Sequence, residues 1–148
     1  MNLFIRCLAF TPEFERLRLY CVEHVAHARA SATHAAAAVM DSANAAAYQY
    51  LPFFYSRVFE HGGSERKVSW VFYGLQGGNE VVVVGDFAPK LGAFWVDGGK
   101  VVGLMLESGS NEENAAVAAA AAAQPSVDVA ALKACATVEE ALALVASA

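Results

Sequence analysis

The sequence lacks any basic block or stripe: ten lysines and arginines stand against fifteen acids, a net charge of −5. Nucleic-acid binding depends on clustered cations that neutralise phosphates, and it has no support here. No apolar run approaches the roughly 18 residues that suggest a membrane span. The three cysteines, Cys7, Cys21 and Cys135, lie far apart and form no CxxC pair. Their odd number argues against a disulfide framework, so ordinary thiols in a reducing compartment are expected. The start carries one Arg and a short apolar stretch ended by Thr11-Pro12, less than a secretory leader needs, and no signal peptide is expected. The final Val145-Ala146-Ser147-Ala148 is no peroxisomal or retention address. The compartment therefore stays unassigned, with the cytoplasm as default.

The phosphate-cradling loops of nucleotide enzymes are missing too. No GxGxxG follows a strand, no GxxxxGK[ST] occurs, and nothing resembles a nucleophile elbow. The glycine pairs at 62–63, 77–78 and 98–99 read instead as hairpin turns.

What is present is one domain's worth of chain. The length of 148 residues is enough to bury a real core, and although 57% of residues are hydrophobic, much of that is alanine. Aromatics gather in the middle, where the core is expected. Thr11-Pro12-Glu13 has the form of a helix start, so a short helix is expected after it within the otherwise unplaced residues 1–21. Residues 22–42 carry no Gly or Pro and many alanines, which favours one long helix ending near Asp41-Ser42-Ala43-Asn44.

Strands are expected at 53–59, behind Pro52, and at 68–73, with a turn at His61-Gly62-Gly63-Ser64 between them. Gly77-Gly78-Asn79 reads as a further hairpin turn. The β-branched run 81–84 suggests a strand covered on both faces or close to it. Asp97-Gly98-Gly99 between the apolar runs 94–96 and 101–106 is the strongest hairpin signal in the chain.

In the last third, Ser110 and Glu113 fit a capping box ahead of the alanine tract 118–123, which stops at Gln124-Pro125. Thr137 and Glu140 repeat the signature before a terminal helix. Helix, about five mostly antiparallel strands and further helices make an α+β layered domain.

Three groups of side chains invite a chemical reading. His24, His27 and His34 fall within one arc of a helix, with Glu23 adjacent. A metalloprotease-type pair needs histidines at i and i+4 with the glutamate between them, whereas here the spacing is i, i+3 and the acid lies outside. No metal site is expected; these are polar residues on a helix shoulder. Phe53, Phe54, Trp70, Phe72, Phe94 and Trp95 could form a ligand box, but at strand spacing such residues are core. Tyr55 and Arg57, two apart, share one face of a strand. They form either a binding edge for a small anion or part of a surface ion pair, and spacing leaves both open.

Four segments in a fixed order carry a resemblance. They are Val22-Glu23-His24-Val25-Ala26-His27-Ala28-Arg29, then Leu51-Pro52-Phe53-Phe54-Tyr55-Ser56-Arg57, then residues 94–103 from Phe94-Trp95-Val96-Asp97 onward, and Glu107-Ser108-Gly109-Ser110 with Glu112-Glu113-Asn114. Together they resemble plant-type monodehydroascorbate reductase, and the likeness spans nearly everything from Val22 on. It implies an FAD-dependent, NADH-oxidising enzyme that reduces monodehydroascorbate radical to ascorbate, with two N-terminal Rossmann-type domains and a C-terminal α+β domain over the flavin.

By that resemblance Glu23 and His24 lie beside the nicotinamide end of NADH, and Val25 meets the flavin's pyrimidine edge. Tyr55 lies at the flavin–nicotinamide site as the catalytic residue and a cofactor contact, while Arg29 and Arg57 hold the substrate anion. A helix opening near Val22 would present unpaired amides and a positive dipole end to reduced flavin. Arg29, one turn after Val25, would lean back toward that mouth. Two guanidinium forks would grip oxygens in a way lysine cannot copy.

Residues 1–21 depart from the family, leaving 22–148 as the reductase-type C-terminal region, its first helix belonging to the end of the family's FAD-binding domain. Ala26 stands where an acid is expected, residues 60–67 are looser than the family pattern, and the tail is alanine-enriched. Both dinucleotide fingerprints are absent. A truncated product or partial gene model, inactive alone, is the expectation. The alternative is a non-catalytic module that docks on the FAD and NAD domains of a full-length reductase or on itself.

Overall fold

The computed structural model describes residue 22, residues 24–63 and residues 65–148. The expected helix after Thr11-Pro12, and the residues Cys7, Cys21 and Glu23, lie outside the described residues. The chain divides between Pro52 and Phe53 into two compact units, taken here in turn.

The first unit holds helix α1, Val25–Met40. Its alanine content and freedom from Gly and Pro carry it through 16 residues. It opens three residues later than expected because His24 is its cap. The backbone of His24 is extended and its ring nitrogen accepts from the amide of Ala26 at 3.3 Å. Asp41 closes the helix, its amide donating to Ala37 at 2.9 Å. His27 is buried and does not sit on a solvated shoulder. Its ring meets those of Tyr48 and Tyr50 at centroid distances of 5.8 and 4.6 Å. His34 also packs on Tyr48, at 5.1 Å, so His27 and His34 both join an aromatic cluster. Burial pushes the Tyr50 phenol up from its ordinary range.

The second unit is a five-stranded antiparallel sheet with three helices. Its elements are β1 Phe53–Val58, β2 Val68–Gly74, β3 Glu80–Gly85, β4 Leu91–Asp97, β5 Lys100–Glu107, α2 Asn111–Ala123, α3 Val129–Ala134 and α4 Val138–Ala146. The strand order is β1-β2-β5-β4-β3. Pairing register sets Phe53, Tyr73, Leu104, Phe94 and Val82 in one row across the sheet. These side chains share a face, as directly opposed residues must. Leu104, Phe94 and Val82 of that row are buried, and with Val117, Ala121, Leu132, Ala141 and Val145 of the helices they form the core. The next row, Phe54, Phe72, Met105, Ala93 and Val83, projects to the other face.

Two expectations fail for one topological reason. β2 and β3 are not neighbours, because β5 and β4 lie between them, so Gly77-Gly78-Asn79 is not a hairpin turn. It belongs to a connection that crosses the end of the sheet, with Leu75 donating to Val102 at 2.8 Å and Asn79 to Val96 at 3.1 Å. The crossing needs close backbone approach. A Cβ on Gly103 would run into the backbone of Leu75, and one on Gly78 into the carbonyl of Val96. The same topology makes β3 an edge strand. Val82 and Val84 are buried while Val81 and Val83 are 49% and 58% exposed, so the strand is covered on one face only. β-branched residues there satisfy the pleated backbone as well as the core. Phe54, at 52% exposure, likewise departs from the expected aromatic core, whereas Phe94 is buried in it and Phe72 is buried on the opposite face against Trp95.

The helices start as their sequences dictate. Ser110 Oγ accepts from the amide of Glu113 at 3.2 Å, and Glu113 Oε2 accepts from the amide of Ser110 at 2.7 Å, completing the capping box. Asp128 caps α3, which had no counterpart in the sequence reading, and Thr137 caps α4. Lys90 binds Glu113 at 2.5 Å and Glu139 at 2.7 Å, tying the β3–β4 turn to α2 and α4. Those bonds hold both carboxyls below the usual glutamate range and raise the lysine. On the other face Glu107, 2% exposed, accepts from Arg66 at 2.5 Å and from Trp70 Nε1 at 2.8 Å.

Candidate functional site

A cleft of about 420 Å³ opens where β1 and β2 meet the start of α2. Its lining includes Tyr55 and Arg57 from β1, Ser69 and Tyr73 from β2, and Asn111 and Asn114 from α2. Strand alternation puts Tyr55 and Arg57 on one face, opposite Val71 and Ser69. β1 is an edge strand, so its side chains on this face reach beyond the cover of α2. Tyr55 is 59% exposed and Arg57 is also exposed.

Arg57 makes an ion pair with Glu60 at 3.5 Å, both side chains largely in water. The surface-pair reading is thus realised, yet such a pair contributes at most about 1 kcal/mol and is easily exchanged for another anion. Among the described residues lining the cleft, Arg57 is the only charged one. The arrangement offers a cation and a phenol on one wall and neutral hydrogen-bonding groups on the other.

At the opening of α1, Val25 is 62% exposed and no acid stands in the first helical turn. Arg29 is exposed four residues on, on the same side of the helix as Val25. Among the described residues no group of three or more His, Cys, Asp or Glu could hold a metal ion.

Residues 51–140 match the family model described as monodehydroascorbate reductase 3-like, C-terminal domain. The chain belongs to that family. It is 49% identical over 125 residues to a protein of Arabidopsis thaliana named monodehydroascorbate reductase, chloroplastic/mitochondrial, covering 84% of this chain and 25% of the relative. Identity is also 49% over 126 residues to monodehydroascorbate reductase 5 of Oryza sativa subsp. japonica, named chloroplastic, with the same coverage. To monodehydroascorbate reductase of Pisum sativum it is 44% over 115 residues, covering 72% of this chain and 25% of the relative. The chain thus spans about a quarter of the length of the relatives it matches. The family's segment containing Leu51-Pro52-Phe53-Phe54-Tyr55-Ser56-Arg57 is the one that builds the cleft's charged wall.

Sequence reasoning missed Ser69, Asn111 and Asn114 as cleft residues. Asn114 stood inside a segment that carried the family resemblance, but its place in a capping motif gave a sufficient local reason for it. Only the packing of α2 against β2 and β5 brings it to the cleft.

Proposed function

We propose that this chain is the C-terminal portion of a reductase of monodehydroascorbate radical, working with FAD and NADH, whose cleft at Tyr55 and Arg57 receives the ascorbate-type anion. The observation that carries the reading is that a single guanidinium and a phenol face an otherwise uncharged cleft of ligand size. An arginine fork suits the vicinal oxygens of an enediolate, and the phenol beside it supplies a neutral donor. Arg29 and Tyr55 keep here the roles that the family resemblance implies, anion binding and catalysis.

The opening of α1 fits a flavin edge. An exposed apolar Val25, a cap provided by His24 and the lack of an acid in the first helical turn leave amide donors at the helix opening. His24 and Glu23 would stand toward the nicotinamide, Glu23 lying outside the described residues. Flavin, when bound, supplies the conversion of a hydride into single electrons. The residues of this chain would position the anion, exclude water and present the helix end.

The test has two parts. The 148-residue polypeptide should purify colourless and oxidise no NADH in the presence of the radical; a yellow, active preparation would overturn the fragment reading. It should nonetheless bind ascorbate weakly, with a dissociation constant on the order of millimolar, about 4 kcal/mol. Arg57→Lys should weaken that binding roughly fivefold, since about 1 kcal/mol accompanies loss of one charge-assisted bond.

A second reading is favoured by a different observation. Phe54, Val81 and Val83 are exposed on the face away from α2, α3 and α4, and Phe87 is 63% exposed in the β3–β4 turn. That apolar area suits a docking module for the flavin domains of a full-length reductase or for a second copy. Size-exclusion chromatography of the chain at rising concentration decides whether it associates with itself.

A further inference from the structure

The geometry points to Asn114, with Asn111 and Ser69 beside it, as the group that reads the neutral hydroxyls of the ligand whose charge Arg57 holds. The cleft would then select a polyhydroxylated, singly charged molecule over a bare anion. This rests on the reading of the cleft given above and deepens it.

The dimensions set the problem. A cleft of about 420 Å³ is far larger than one carboxylate or enediolate group, and its only charged lining residue among those described stands on β1. A ligand that fills the space must therefore present uncharged surface to the rest of the lining. That lining includes Ser69 on β2 and Asn111 and Asn114 on α2, all neutral and all able to donate and accept.

Asn114 is singled out by its own hydrogen bonding. Its Oδ1 is enclosed and accepts no hydrogen bond. Enclosed polar atoms without partners are uncommon in folded proteins and ask for a reason. Packing around that amide is close: a Cβ on Gly109 would run first into the Leu106 side chain and would also stand 2.9 Å from Asn114 Oδ1. No bond through Oδ1 holds the amide in one orientation, and a half-turn exchanges its donor and acceptor ends without changing its shape. The end of the Asn114 amide that faces the cleft can thus be a donor or an acceptor to a ligand hydroxyl. An aspartate of the same size would repel the anion, and a leucine could offer nothing.

The experiment compares two ligands on the 148-residue chain by chemical-shift titration at neutral pH. One is ascorbate. The other is reductic acid, an enediol anion that lacks the lactone oxygen and the hydroxylated side chain. Asn114→Ala should weaken ascorbate about fivefold, the loss of roughly one neutral hydrogen bond, and leave reductic acid unchanged. Asn114→Asp should weaken both. Arg57→Gln should weaken both as well, through the charge they share.

If Asn114→Ala weakens the two ligands equally, or neither, the inference fails while the cleft reading stands. If the unsubstituted chain binds neither ligand, or Arg57→Gln changes neither, the cleft reading fails first. Spectral dispersion of the variant is read in the same titration. Should Asn114→Ala prove unfolded, Asn111→Ala, at the exposed first position of α2, is held to the same pair of outcomes.

Discussion

Removing the carboxylate of Glu107 is the most informative perturbation of the fold. This side chain is 2% exposed at the end of β5 and has two donors, the guanidinium of Arg66 and the indole of Trp70. Arg66 also donates to the carbonyl of Pro89 at 3.2 Å, so one cluster ties the β1–β2 connection, β2, β5 and the β3–β4 turn together. Glu107→Leu strands the indole N–H, at about 1–3 kcal/mol, and frees an arginine that is 38% exposed and can turn to water. Arg66→Met leaves a buried carboxylate with one neutral donor, which costs about 3–5 kcal/mol when fully enclosed. The partial exposure of Arg66 lets water reach the pair and reduces that to about 2 kcal/mol.

In the double variant Arg66→Met/Glu107→Leu the charge problem disappears and only the stranded indole remains. Its cost should fall below the sum of the single variants by about 1–2 kcal/mol. Urea unfolding followed by tryptophan fluorescence measures all three. Strict additivity, or an Arg66→Met variant as stable as the parent, would refute the reasoning.

The Lys90 triad gives a pH dependence. Glu113 and Glu139 are held below the ordinary carboxyl range chiefly by their bonds to Lys90, so their contribution is full above about pH 4.3 and is lost as pH falls through the depressed values. Lys90→Met should flatten that acid limb and lower stability at pH 7 by about 1 kcal/mol, as measured by urea midpoints across pH 3–7. Ser110→Ala removes one half of the capping box and should cost about 1 kcal/mol by the same assay. Gly103→Ala places a methyl against the backbone of Leu75 and should cost about 1–3 kcal/mol, more than Gly62→Ala, where nothing stands near.

Much of the fold was legible because local rules and tertiary packing agree. The alanine run of α1, the capping box at Ser110 and Asp97-Gly98-Gly99 between β4 and β5 each state their structure within a few residues. What local rules could not state was strand order. Gly77-Gly78-Asn79 has hairpin composition, and only the insertion of β5 and β4 between β2 and β3 makes it a crossing. Val81 to Val84 has the composition of a central strand and sits at an edge for the same reason. The site divides along that line. Tyr55 and Arg57 were legible because both lie on one strand at a spacing of two. Ser69, Asn111 and Asn114 come from elements distant in sequence, and nothing local announces them. Arg29 and the α1 opening belong to the other compact unit, where their roles rest on the family likeness and the cap geometry at His24.

The Tyr55–Arg57 cleft is proposed to receive the anion. Amide and side-chain shift mapping of the 148-residue chain during ascorbate titration tests it directly. Saturating changes should gather at Tyr55, Arg57, Ser69, Asn111 and Asn114 and require more ascorbate in Arg57→Gln. A titration that leaves these residues still, or moves only the exposed Val81 and Val83 of β3, would contradict it.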